Sequence, residues 1–232
     1  RVHVAGQSYS PEFVSSLILR KVVQEAESEL GETVTDVVIT VPAYFGEAQR
    51  HATYEAGKLA GLNVLRIINE PTAAALAYGV LNHGEPRYIL VYDLGGGTFD
   101  VTIIALDNES VHVVAVGGDP FLGGKDFDDL IMNYIEREVH QKYGFALDSD
   151  ASLESELRLK AEAAKRQLTG RQSVPISFKT RRPQNSIEYS DDPLVPIRVD
   201  LTRDDFEKMS ADMLARTEIL LENVMEQAGL GW

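Results

Sequence analysis

Cysteine is absent from all 232 residues. Disulfides, thiolate metal sites and thiol nucleophiles are thereby excluded, which fits a reducing compartment, and the cytoplasm is the expected location. Cations are scarce: 22 Lys and Arg stand against 36 Asp and Glu, a formal charge of -14. No nucleic-acid partner is expected, because counterion release from a phosphate backbone needs clustered Lys and Arg. Any polyanion held here must be small and locally cradled. No apolar run approaches the roughly 20 residues of a membrane helix, and the opening RVHVAGQSYS lacks the apolar segment of a signal peptide, so no membrane role is expected. The five histidines show no ligand spacing, and no Ser, His and Asp set suggests a triad. What the chain does have is 44% hydrophobic residues, enough to fill one large domain or two lobes.

The apolar residues are distributed in an α/β order. Ser10 caps a helix that Pro11 opens and Gly31 ends, with apolar residues at helical spacing through Phe13, Leu17 and Val22. DVVITVPAYF reads as a strand from Val37, nearly all apolar and so expected to be covered on both faces, and it is ended by Pro42. A helix from Glu47 to about Ala60, a second buried strand in NVLRII and a short helix in EPTAAALAYG follow, the last with Pro71 at its start. From Tyr88, YILVYDL, TFDVTIIAL and SVHVVAVGG form an antiparallel meander joined by glycines and by DNE. After GGDPFLGGKDFDD come a long amphipathic helix, another from about Ser152 to Leu168, a strand-rich polar segment through Val199 and a last helix from Thr202 to Gln227.

Within the meander, VYDLGGGTFD places Gly95, Gly96 and Gly97 between two aspartates. Glycine admits positive φ and close approach of another group, so three in a row can turn successive N–H groups into an anion-binding nest. A phosphate fits such a loop. Asp93 and Asp100 would reach its mouth, where Mg²⁺ could bridge them to the phosphate through waters, and Thr98 adds a hydroxyl. A bare Gly-Gly-Gly is as often a plain turn beside solvated aspartates, but the full run flanked by buried strands is much rarer.

VYDLGGGTFDVTII resembles the second phosphate loop of the DnaK-type, seventy-kilodalton heat-shock chaperones, and VITVPAYFGEAQRHAT, RIINEPTAAALAYG and LGGKDFD match that family in the same order. The likeness spans essentially the whole chain. It implies a fold of actin-like ATPase lobes with ribonuclease-H-like cores, here incomplete, with an α+β subdomain inserted in lobe II. On that alignment residues 1–87 are the C-terminal part of the lobe I core, 88–125 the first part of the lobe II core, 126–202 its outer subdomain, and 203–232 a helix returning to the core. The implied activity is ATP hydrolysis, with ADP as product and Mg²⁺ as cofactor, driving cycles of client-peptide binding and release. The implied partners are unfolded peptides, a J-domain cochaperone and a nucleotide exchange factor. Members also carry a first phosphate loop of the Asp-Leu-Gly-Thr-Thr type and a catalytic lysine upstream, and neither motif occurs here. The chain is therefore expected to be an interior piece of the ATPase domain, inactive by itself, with the peptide-binding domain following Trp232.

The resemblance also distributes roles. Glu70, in INEPT, could simply cap a helix; the family places it in the Mg²⁺-bound water network beside Asp93, Thr98 and Asp100. Pro42 and Arg50 become a proline switch and an exposed arginine that relay nucleotide state, while Arg66 and Asn69 help dock the J-domain protein. Glu162, Lys165, Arg166 and Thr169, at offsets of three, four and seven, share one helix face. That face could be merely solvated; the family makes it the adenosine side of lobe II, with Arg166 stacking on the base. Gly123 and Gly124 serve tight turns near the site. Departures occur at Gly170, where relatives run on in serines, and in GGDPFLGG, where they have Gly-Asp-Thr-His. Three rival readings stay open: a sugar or acyl kinase, an actin-like filament ATPase, and a cochaperone-binding scaffold without activity.

Overall fold

The computed structural model describes residues 1–4, 6–81, 87–106, 111–147, 150–181 and 194–232. The DNE turn and part of the polar segment before Val199 lie outside them. The fold is mixed α/β, in two compact units: Arg1–Asp93 with Asp100–Gly117 and Asn223–Trp232, and Leu94–Phe99 with Gly118–Glu222. No helix among the described residues is long and apolar enough to cross a membrane.

The first unit opens with β1 (Val2–Val4) and β2 (Gln7–Tyr9), an antiparallel pair too short for any alternation to announce. Helix α1 (Pro11–Leu30) begins where Ser10 Oγ accepts the Phe13 N–H at 3.2 Å, and stops at Gly31, whose φ of 71° few other residues adopt. Next come β3 (Asp36–Val41), α2 (Glu47–Leu59), β4 (Asn63–Asn69) and α3 (Glu70–Leu81). Strands β3 and β4 pair in parallel from Asp36 opposite Asn63 to Val41 opposite Asn69, the crossover being α2.

The expectation that β3 and β4 are covered on both faces is not met. They form a two-stranded sheet, and Val38 and Leu65 remain 52% and 60% exposed. Side chains alternate across a strand, so those out of phase with Ile39, Val41 and Val64 face away from α2. The covered face is tight. A Cβ on Gly57 of α2 would lie 2.4 Å from Val64 Cγ2 and 3.0 Å from Ile39 Cδ1, so only glycine lets the helix lie this close to the sheet.

Strands β5 (Arg87–Leu94), β6 (Phe99–Leu106) and β7 (Val111–Asp119) form a three-stranded sheet in that order. Central β6 is buried continuously from Phe99 to Ile104, Asp100 and Thr102 included, so both of its faces are covered.

In the second unit, α4 (Gly124–Tyr143), α5 (Ala151–Leu168), β8 (Ser173–Arg181) and β9 (Leu194–Thr202) enclose a hydrophobic core, with α6 (Arg203–Gln227) following. Strand β8 buries alternate residues, Val174, Ile176, Phe178 and Thr180, and β9 answers with Ile197, Val199 and Leu201. Pro175 and Pro196 sit on the outward face, tolerated because each strand of a two-stranded sheet is an edge. Tyr143 locks α4 to β9: its hydroxyl accepts the Arg198 N–H at 3.0 Å and donates to the Arg198 carbonyl at 3.3 Å.

Replacing Gly57 by Ala is expected to destabilise the first unit by about 1–3 kcal/mol, the usual cost of overpacking against stiff β-branched neighbours. Urea denaturation of the variant beside Gly46→Ala, where the added Cβ meets nothing closer than 3.9 Å, gives the measurement.

Candidate functional site: a glycine loop and an open cleft

Gly95, Gly96 and Gly97 connect β5 to β6, and the loop closes where the Gly95 N–H donates to the Thr98 carbonyl at 2.9 Å. None of the three is among the glycines at positive φ, so left-handed backbone is not what requires them. Close approach is. A Cβ on Gly123 would lie 2.4 Å from Gly97 N, 2.5 Å from Gly97 Cα and 2.6 Å from the Gly96 carbonyl carbon. The start of α4 thus rests directly on the glycine loop. It is pinned there by the Gly124 N–H donating to the Gly95 carbonyl and the Lys125 N–H to the Gly96 carbonyl, both at 2.8 Å. The first amides of α4 are therefore spent on loop carbonyls, and Gly123 N–H is taken by Asp126 Oδ2 at 2.8 Å.

Beside this seat lies a cleft of about 770 Å³ within the second unit. Gly95, Gly96 and Gly124 line it together with Glu162, Lys165, Arg166 and Thr169, so all four residues of the α5 face share one wall with the loop. Gly97 and Thr98 are not among its lining. Lys165 is tied down: its ammonium donates to the Gly124 carbonyl at 2.8 Å and pairs with Asp128 at 2.7 Å. Arg166 pairs with Glu162 at 2.6 Å but stays 76% exposed, which leaves its guanidinium plane open to stacking. Thr169 caps α5 in helical conformation.

Sequence reasoning passed over Lys125, Phe127, Arg203 and Phe206 in this lining. Lys125 and Phe127 lie in the quoted LGGKDFD, where a cation directly after two glycines was the available signal. Arg203 had none. Its guanidinium reaches the carbonyls of Leu168, Thr169 and Arg171 at 2.6 to 3.2 Å, a contact that only the tertiary fold creates. Upstream, Asp119 holds the Phe121 N–H at 2.9 Å and ion-pairs with Arg216 of α6, fixing the GDPFLGG turn from outside the loop.

The first unit carries the other candidates. Glu70 is the first residue of α3, and among the described residues no backbone N–H bonds its carboxylate, so it does not cap that helix. Its pKa is raised above the usual carboxylate value, chiefly by burial and then by the negative charges of Asp93 and Asp100. Those three carboxylates are thus electrostatic neighbours, with Asp100 only 3% exposed. Among the described residues no three His, Cys, Asp or Glu stand close enough to ligate a metal directly.

At the end of β3, Pro42 opens a turn in which its carbonyl accepts the Phe45 N–H at 3.1 Å. Arg50, expected as an exposed arginine, is instead half-buried and anchored. Its Nη2 donates to Asn69 Oδ1 at 2.6 Å and its Nε to the Phe45 carbonyl at 3.0 Å, because the turn folds that carbonyl back over α2. Asn69, expected to face a partner, is therefore committed to Arg50, whereas Arg66 is exposed on β4 opposite Val38.

The raised Glu70 pKa has a definite sign for stability. Well below the ordinary value of 4.5 the group is protonated whether the chain is folded or not, and contributes nothing. As pH rises from there the folded state keeps a proton the unfolded state has lost, so stability falls until the folded pKa is passed. Glu70→Gln should accordingly raise the urea midpoint at pH 7, with the gain shrinking as the pH falls toward 4.5 and vanishing well below it; a pH series of unfolding curves measures it.

A family model described as Hsp70 protein matches residues 1–231. The glycine loop, the seat of α4 on it and the α5 wall are thus parts of a recognised whole, and the chain belongs to the Hsp70 family.

Proposed function

We propose that the chain is part of the ATPase domain of a molecular chaperone, in which Mg-ATP binding and hydrolysis drive binding and release of unfolded peptides. The observation that carries this reading is the convergence of Gly95 and Gly96 of the glycine loop with the α5 face on one cleft of about 770 Å³. Family membership supplies the chemistry: Hsp70 proteins hydrolyse ATP. On this reading residues 1–87 belong to lobe I of an actin-like fold, and 88–125, 126–202 and 203–232 to lobe II.

Apart from that of Gly95, which is spent on the Thr98 carbonyl, the loop amides and the Thr98 hydroxyl hold the phosphates, and Glu162, Lys165, Arg166 and Thr169 hold the nucleoside, ATP before the reaction and ADP after it. Magnesium, when bound, neutralises charge on the phosphoryl group being transferred. The donor set fits it. Glu70, Asp93 and Asp100 are oxygen donors, and the negative charges of Asp93 and Asp100 act on Glu70; a divalent cation would relieve that repulsion, and Asp93 and Asp100 would hold it through waters. Glu70, kept partly desolvated, accepts a hydrogen bond from the attacking water and so orients it in line.

The route from chemistry to partners runs through the first unit. Glu70 follows Asn69 directly, Asn69 is bonded to Arg50, and Val41, its register partner, precedes Pro42. A displacement of Glu70 on hydrolysis would therefore be felt at Arg50 and Pro42, the two residues assigned to the relay. Arg66, exposed nearby, is left to meet a J-domain cochaperone, and a nucleotide exchange factor completes the cycle.

Glu70→Gln in the intact protein should lower single-turnover hydrolysis by roughly 10² while leaving Mg-ADP affinity within a few-fold, as loss of one positioned polar group commonly does. Turnover within threefold of the unmutated protein would remove Glu70 from the chemistry. Arg50→Ala should instead spare basal hydrolysis and slow the ATP-driven acceleration of peptide release, read from the off-rate of a fluorescent peptide with and without ATP. Normal acceleration would place the relay elsewhere.

A further inference from the structure

Four cations line the cleft of the second unit: Lys125, Lys165, Arg166 and Arg203. Three are committed to protein groups. Lys165 is held by Asp128 and the Gly124 carbonyl, Arg166 by Glu162, and Arg203 by the carbonyls that end α5. Lys125 differs: it is exposed, and among the described residues its ammonium has neither a carboxylate nor a hydrogen-bond acceptor.

Its position is nevertheless fixed. The Lys125 backbone is bonded to the Gly96 carbonyl at 2.8 Å, and its side chain lies across the glycine loop. A Cβ on Gly97 would meet Lys125 Cδ and Cε at 3.8 Å and Nζ at 3.9 Å. An ammonium is a compact point charge with three donors on a flexible stem, able to follow a phosphate chain rather than fork onto one group. Placed over Gly97, it stands at the loop end of the cleft, whereas the open guanidinium plane of Arg166 belongs to the α5 wall.

We propose that Lys125 is a specificity-determining residue that reads the phosphate chain of the bound nucleotide, its unpaired ammonium favouring the di- and triphosphate over the bare nucleoside. The proposal rests on the nucleotide reading of this cleft and adds a residue to it. In a chain of net charge -14 a polyphosphate anion is repelled at long range, so a local, uncommitted cation at the phosphate end matters more than the overall count suggests. Because the group is exposed, its contribution is screened by salt.

The test titrates the 232-residue chain, with Mg²⁺ present, with adenosine, ADP and ATP, following cleft resonances by NMR so that weak binding is still measured. Lys125→Met should weaken ADP and ATP about tenfold, the scale of one charge-assisted contact, and adenosine by less than about twofold. Lys125→Arg should recover most of the loss and Lys125→Glu should deepen it, ATP suffering most. ADP affinity of the Met variant should also fall less steeply with added KCl than that of the unmutated chain. An equal loss for adenosine and ADP would mean that Lys125 merely shapes the cleft, and unchanged ADP affinity would mean that it does nothing there; either overturns the proposal. If the unmutated chain binds none of the three, the nucleotide reading of the cleft itself fails.

Discussion

The candidate site depends on one contact: the backbone of Gly123 lying against the backbone of Gly96 and Gly97. No side chain takes part in it, and no side chain could. Distances of 2.4 to 2.6 Å from an imagined Cβ to main-chain atoms leave no room for relief, since the obstacle is not the movable end of a rotamer. Everything downstream follows from that proximity. It lets the first amides of α4 find the carbonyls of Gly95 and Gly96, it brings Lys125 over Gly97, and it puts Gly124 where Lys165 of α5 can reach its carbonyl. The loop is thus held from its carbonyl side.

This changes the meaning of the glycines. From sequence, three in a row suggest left-handed backbone folded into a nest, yet the nearby glycine that the packing demands most strongly is Gly123, some 26 positions on in a different motif. A local pattern cannot show which of two glycine pairs is the guest and which the host, because the reason lies in the meeting of two segments. The helices were more legible. Capping at Ser10, the proline at the start of α1 and Gly31 at its end are local decisions, and the boundaries of α1, α2, α5 and α6 follow the sequence to within a residue or so. The common face of Glu162, Lys165, Arg166 and Thr169 was equally legible, since helical spacing alone places them together.

What the sequence concealed was commitment. Arg50 and Asn69 look like free surface groups until the turn from Pro42 to Phe45 brings a carbonyl, and the end of β4 the Asn69 amide oxygen, to the same guanidinium. The apolar runs of β3 and β4 promise burial on both faces, but a two-stranded sheet with α2 on one side covers only alternate residues. Both differences have one cause: residue type reports what a side chain can do, and only its neighbours decide what it does.

Arg203 has a further electrostatic effect on the cleft. A helix ends in carbonyls that carry about half a negative charge, and α5 ends at Leu168, at the cleft wall, where a polyphosphate would be repelled by them. The guanidinium of Arg203, at the start of α6, covers the carbonyls of Leu168 and Thr169. The macrodipole of α5 is thereby closed by the protein itself, and an anion entering the cleft meets a helix terminus already neutralised.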